Sequence, residues 1–239
     1  MKLLALLVTL WEVLGRLFLS AHARNFVALP SDVVHEAWQL TIDGELAAAT
    51  AHTALRVALG AGLGGVGGVI FGALVGFPGA GAALAAPLAL ARSIPPIAWI
   101  PLTLLWFGVG EAQVVVVLAG ATFHVVTPAA ADALGRVPVT LLQAAENLGA
   151  TPARLVALRI RAATPAVLGA LVDGVAMAWF VVVAAEFVSA AEGLGVVVLQ
   201  GRDLLLPGRT FVGMAALGIC GLASDRALRA ARGRLVRWA

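Results

Sequence analysis

Charge is scarce in this chain. Asp, Glu, Lys and Arg make up 12% of its 239 residues, where an ordinary soluble domain carries about 25%. Lysine occurs once, at Lys2, and cysteine once, at Cys220. A single cysteine excludes a disulfide framework and a cysteine-based metal centre; Cys220 reads as a small apolar filler. With its one lysine at position 2 the chain cannot carry a phosphate-binding P-loop. No acid occurs between Glu45 and Glu111. There is no His-Glu-x-x-His and no Gly-x-Ser-x-Gly, and His22, His35, His52 and His124 are scattered. No catalytic residue and no metal site is identified. The net charge of +3 comes from arginines that flank apolar segments, and a nucleic-acid surface is not expected.

What is present is apolar. Hydrophobic residues reach 61% and mean hydropathy is +0.99. A spanning helix needs about 20 mostly apolar residues, and six segments approach this: 3–20, 54–77, 82–107, 112–131, 163–188 and 209–223. The last is short and is expected to extend into Leu204–Leu206 or the turn after it. Lipid offers no partner to a bare backbone, so helices are the expected spanning element. The expected fold is an all-α polytopic membrane protein, one transmembrane domain over residues 1–239, in contact with the lipid bilayer. No clear internal repeat or long linker is visible.

Arginine sets the orientation, because basic residues stay on the cytoplasmic side. With the N-terminus inside, 132–162 and the basic tail 224–239 are cytoplasmic and hold nine arginines, from Arg136 to Arg237. The outer pieces hold only Arg24, Arg202 and Arg209, with most of the acids: Asp32, Glu36, Asp43, Glu45, Glu111, Glu192 and Asp203. The first segment also reads as a signal peptide with Ala21-His22-Ala23 as cleavage site. Glu12 and Arg16 interrupt its apolar core and favour a retained helix.

Four features stand out. Gly60, Gly64, Gly68, Gly72 and Gly76 are spaced four apart, a pattern that lets membrane helices approach closely. The Gly62–Gly67 run within it matches a dinucleotide fingerprint only in form, lacking the strand before and the acid after. Pro95, Pro96 and Pro101 interrupt the third apolar segment, and each removes a backbone donor. That break is either a simple kink or the lining of a translocation path. Glu186 lies inside an apolar run, where a charge costs at least about 2.5 kcal/mol at the bilayer centre. It either faces a pathway or sits near the outer surface in water.

The fourth feature is "LLQAAENLGATPARLVALRIRA", 141–162. Leu141, Ala144, Ala145 and Leu148 form an apolar stripe at helical spacing. Gly149 is a helix stop, since glycine takes the left-handed conformation cheaply. Thr151 and Pro152 read as N-cap and first-turn proline of a second helix ending near Ala163. A helix–glycine turn–helix with a small-residue face, on the cytoplasmic side, suits docking to another protein better than a plain connector.

This stretch resembles the Glu-Ala-Ala loop of binding-protein-dependent ABC importer permeases. "IPPIAWIPLTLLWFGVGE" resembles their sulfonate, taurine and nitrate group, with bicarbonate and thiamine-precursor relatives. "ALPSDVVHEAWQLTIDGEL", "TALRVALG", "AAEFVSAAEGLGVVV" and "GRLVRWA" fit the same group, so the resemblance covers nearly the whole chain. Gln143 stands where the family has its motif glutamate, and Ile160-Arg161 where it has Leu-Pro, with one residue fewer after Gly149. The resemblance implies a type I importer permease fold in a bacterial inner membrane with both termini cytoplasmic. It implies a non-catalytic translocation subunit, in two copies, whose ATP and Mg are bound by separate cytoplasmic ATPase subunits. An extracytoplasmic solute-binding protein would deliver a small, anionic solute. Gln143, Ala144, Ala145, Gly149, Thr151 and Pro152 would form the ATPase-coupling element. Pro95, Pro96, Pro101 and Glu186 would border the path. The alternative is a secondary transporter or channel with no ATPase.

Overall fold

The computed structural model describes residues 2–18, 20, 23, 26–76, 90 and 93–236, and among these every regular element is helical. The elements are α1 (Lys2–Phe18), α2 (Pro30–Ile42), α3 (Glu45–Gly76), a 3-10 turn (Pro96–Trp99), α4 (Ile100–Phe107), α5 (Glu111–Gly135), α6 (Val139–Asn147), α7 (Pro152–Ser189), α8 (Leu194–Asp203) and α9 (Pro207–Leu235).

By length and composition α3, α5, α7 and α9 are able to cross a membrane. They carry four of the six apolar segments expected from sequence. The first segment is the 17-residue α1. Its two interrupting charges pair one turn apart, Arg16 Nε donating to Glu12 Oε1 at 2.6 Å, and the other Glu12 oxygen accepts the Ser31 backbone N–H at 3.0 Å. The third segment, 82–107, falls partly outside the described residues; its described part is the short apolar helix Pro96–Phe107.

Two boundaries differ from the sequence-based expectation. The helix expected to end near Ala163 runs on without a break to Ser189. Nothing between Ala162 and Thr164 supplies a stop signal, and Pro165 is tolerated inside the helix. Likewise the sixth span extends past its C-terminal end, the second of the two expected directions, but well beyond one turn and into the basic tail, as one helix to Leu235. Leu205 has φ +56 and so ends the preceding turn.

Tight helix packing makes the centre of the molecule. Gly60, Gly64, Gly68, Gly72 and Gly76 of α3 all face α5. A Cβ on Gly60 would lie 2.5 Å from Leu118 Cβ, and one on Gly72 or Gly76 would lie 2.5 Å from the carbonyl oxygen of Thr127 or Ala131. A Cβ on Gly64 would run into the Ala119 carbonyl. The two backbones are thus closer than any side chain permits, which is how small residues generate attraction where lipid supplies no hydrophobic drive. Val57, Ala61, Val117, Leu118, Ala178 and Val182 form the core that α7 adds to this pair. A second cluster, Leu40, Ala49, Leu194, Val197 and Val212, joins α2, α3, α8 and α9. A third, Leu134, Val137 and Ala163, lies at the other end of the bundle and receives Leu142 of α6.

Candidate functional site

Three places in this frame have a geometry that goes beyond packing. The first is the turn between α6 and α7. α6 buries no residue fully. Leu142 anchors it to the bundle, while Leu141 and Leu148 remain 41% and 88% exposed. Gln143, Ala144 and Gly149 are exposed too, and Ala145 is half-buried. Gly149 has φ +82. Its N–H bonds the Glu146 carbonyl at 2.8 Å, and the Ala150 N–H reaches Ala145 O at 3.0 Å, the closing bonds of a left-handed helix stop. Thr151 occupies the N-cap position of α7 without a side-chain cap bond, and Pro152 is its first helical residue. Arg159 Nη1 donates to Leu134 O at 3.1 Å and ties this end of α7 to the end of α5. The result is a short helix held out from the bundle with an apolar, small-residue face uncovered.

The second place is a groove of about 310 Å³ between the 3-10 turn, α4 and α5. Pro96, Trp99 and Trp106 line one wall; Phe123, His124 and Thr127 line the other. Pro128, inside α5, is at its edge. Of the three prolines singled out in the sequence, Pro96 lines the groove. Pro95 caps the 3-10 turn, and Pro101 sits in the first turn of α4, where a missing N–H costs nothing. The break therefore converts an apolar run into two short helices, one wall of the groove. Among the described residues no lysine or arginine lines it.

The third place was not assembled by sequence reasoning. Glu186 neither borders that groove nor meets water. It is fully buried, and its Oε1 accepts Arg56 Nη1 at 2.6 Å and the Thr53 hydroxyl at 2.8 Å. Its Oε2 accepts the Gly195 N–H at 2.7 Å, in the first turn of α8. The Leu194 N–H donates to the same Thr53 hydroxyl at 2.8 Å. Arg56, 2% exposed, also donates to the Glu192 carbonyl at 2.5 Å and, through Nε and Nη2, to both oxygens of Glu111 at 2.6 and 2.5 Å. One arginine on α3 thereby fastens α5, α7 and the turn before α8. The turn comes this close only because of glycine: a Cβ on Gly193, at φ +142, would lie 2.5 Å from Glu186 Oε1, and one on Gly195 2.8 Å from Oε2. Arg56, Glu111 and Glu186 are far apart in sequence, so only the oddity of two ionisable groups in apolar runs could have pointed to them.

Comparison with known proteins follows the same outline. The family described as the binding-protein-dependent transport system inner membrane component matches residues 64–236. A Methanocaldococcus jannaschii protein assigned as an ABC transporter permease is 32% identical over 98% of this chain and 89% of its own length. The taurine transport system permease protein TauC of Escherichia coli is 33% identical over 62% of this chain and 54% of its own. A Bacillus subtilis protein assigned to aliphatic sulfonates transport, SsuC, is 26% identical over 98% of this chain and 85% of its own. In fold, a chain of the MetNI methionine ABC transporter, in an inward-facing conformation, aligns with TM-score 0.62 at 23% identity, covering 80% of this chain and 97% of that one.

Proposed function

Because the chain belongs to the inner membrane components of binding-protein-dependent transport systems, and so is a membrane-embedded permease subunit of an ABC importer, we propose that residues 139–152 are where ATP-driven motion enters it. The observation that carries this is α6 itself, an exposed apolar helix closed by a left-handed glycine next to the start of the longest helix in the molecule. Family membership implies an ATPase and a binding protein as partners. Gln143, Ala144, Ala145 and Gly149 are the residues we assign to the ATPase contact, with Thr151 and Pro152 fixing where α7 begins. Small residues there let a partner surface close around α6, and closure of the ATPases tilts it. The importer alternates between two arrangements whose balance ATP shifts by binding one better than the other.

The groove lined by Pro96, Trp99 and Thr127 is the face we assign to the translocation path, completed by a second copy of this chain. The buried Arg56–Glu186 network fastens the Glu111 end of α5, one wall of that groove, to α3 and α7. The solute we propose is small and anionic, in the manner of taurine or another sulfonate; the names of two relatives support this. Among the described residues the groove holds no lysine or arginine, and its one ionisable side chain is His124, which suits a passage and leaves selection to the binding protein.

The test is co-purification of the tagged permease with its co-expressed ATPase, followed by ATPase activity in liposomes with loaded binding protein. Ala145→Glu places a charge in a close-packed contact and is expected to release the ATPase. Binding and stimulation equal to the unmodified chain would remove α6 from this role.

A further inference from the structure

On the side of α3 and α7 turned away from the α5 contact runs a second groove, of about 660 Å³, closed on its other side by α9. Its floor is made of small residues of α3, among them Ala58, Gly62 and Gly65; its walls are apolar side chains such as Leu171 and Leu228. At one end lies Trp179, whose ring packs 3.8 Å from where a Cβ on Gly221 would stand. At the other end lies Arg232, its guanidinium carbon 3.5 Å from where a Cβ on Gly169 would stand. Arg232 is half-buried and forms no ion pair among the described residues. Its neighbour Arg229, by contrast, is engaged by Asp225 and Asp173.

Length and charge together indicate an occupant. From the level of Gly169 to that of Trp179 α7 rises ten residues, or about 15 Å at 1.5 Å per residue. That is about half of the ~30 Å hydrocarbon thickness of a bilayer, the depth of one leaflet. The polar end is at the arginine-rich end of α9, on the side that the arginine bias makes cytoplasmic, where anionic lipids attract basic residues. We propose that this groove is a phospholipid site: one acyl chain lies along the α3–α7–α9 groove from Arg232 toward Trp179, and the Arg232 guanidinium binds the phosphate of an anionic headgroup. A lipid there fills the space between α9 and the α3–α5–α7 core that protein side chains leave open.

The experiment uses the full chain, purified in mild detergent, exposed to equal amounts of phosphatidylglycerol and phosphatidylcholine with palmitoyl and oleoyl chains, washed, and weighed by native mass spectrometry. The unmodified chain is expected to retain one phosphatidylglycerol in preference to phosphatidylcholine. Arg232→Gln is expected to reduce that preference about fivefold, the share of one basic residue near an anionic lipid, and Arg232→Lys to keep most of it. Gly62→Leu places a side chain in the groove from a position whose Cβ would meet nothing within 4 Å; it is expected to fold and to lose both lipids. Equal retention by the unmodified chain, Arg232→Gln and Gly62→Leu would overturn the proposal. So would a photo-crosslinker at position 62 that captures a second permease chain in membranes instead of lipid. Neither outcome bears on the ATPase contact, which is read separately by co-purification.

Discussion

Removing either partner of the Arg56–Glu186 pair should unfold this permease at markedly lower temperature, and the two removals should not cost the same. Both groups are out of solvent, at 2% and 0% exposure. Breaking a buried pair by deleting one member typically costs about 3–5 kcal/mol, because the other charge stays buried without its partner. Glu186→Ala leaves Arg56 with both oxygens of Glu111 and the Glu192 carbonyl, which places it at the lower end. Arg56→Ala leaves Glu186 with the Thr53 hydroxyl and the Gly195 N–H only, two neutral donors and no cation, which places it at the upper end. For a chain of this size 1 kcal/mol moves Tm by about 2–4 °C, so the shifts are about 6–12 °C for Glu186→Ala and more for Arg56→Ala. Replacing both, Arg56→Ala with Glu186→Ala, should cost less than the two single losses together, since neither charge is then left buried without its partner. The coupling in the double-mutant cycle is then about 2 kcal/mol, within the range seen for residues in contact. Thermal unfolding followed by tryptophan fluorescence in detergent measures all four proteins. Additive losses, or a larger shift for Glu186→Ala than for Arg56→Ala, would refute the reasoning.

Other consequences follow from single positions. Gly149→Val, at φ +82, should cost about 1–2 kcal/mol for the left-handed conformation and give a complex that binds ATPase but responds weakly to loaded binding protein in the liposome assay. Gly64→Leu must drive a side chain into the Ala119 carbonyl and should abolish folded protein in size-exclusion chromatography, while Gly62→Leu, on the open side of the same helix, should elute as the unmodified chain does. Gly195→Ala, with its Cβ 2.8 Å from Glu186 Oε2 and 2.9 Å from Glu186 Cβ, should lower Tm by several degrees, and by somewhat less when combined with Glu186→Ala, which removes the first of these contacts and keeps the second. For orientation, an impermeant thiol reagent applied outside cells to a Cys220→Ser background should label Asp43→Cys and Asp203→Cys but neither Ala150→Cys nor Arg234→Cys; the reverse pattern would invert the chain.

The apolar periods carried most of the fold, because length and hydropathy are what the bilayer reads. The glycine spacing pointed to close packing without naming the partner; that α5 is the helix approached depends on which chain segment lies across the stripe, a tertiary fact. The helix–glycine–helix outline of residues 139–152 was legible for a local reason: a left-handed glycine and a first-turn proline act on their own neighbours. Glu186 was visible as a costly residue and its surroundings were not. The two sequence-based alternatives, a pathway or water, left out a third way to lower the cost, which is a partner from a helix 130 residues away. The continuity of α7 was missed because a polar-to-apolar change of composition at Ala163 was read as a helix end. Composition changes at a membrane boundary; the backbone has no reason to.

That continuity has a mechanical meaning for the proposed coupling. From Pro152 to Ser189 α7 has 38 residues, about 57 Å at 1.5 Å per residue. Its first residues adjoin the α6 turn and its last turns carry Glu186. A tilt of about 10° about one end of a helix that long moves the other by roughly 10 Å, so a small rotation at the proposed ATPase contact is enough to reposition the far end of α7. Two features limit how freely that happens. Pro165 has no N–H to bond the turn below it, which makes the boundary between the polar start and the apolar body of α7 the place where it bends most easily. Arg159 bonds Leu134 O on the α6 side of that proline, so the first part of α7 moves together with the end of α5. At the far end the Arg56 network fastens α7 to α3, α5 and the turn before α8. A pull on α6 therefore reaches the outer face as motion of the joined α3–α5–α7 unit. Among the parts left to move against that unit are the short elements lining the groove, the 3-10 turn and α4.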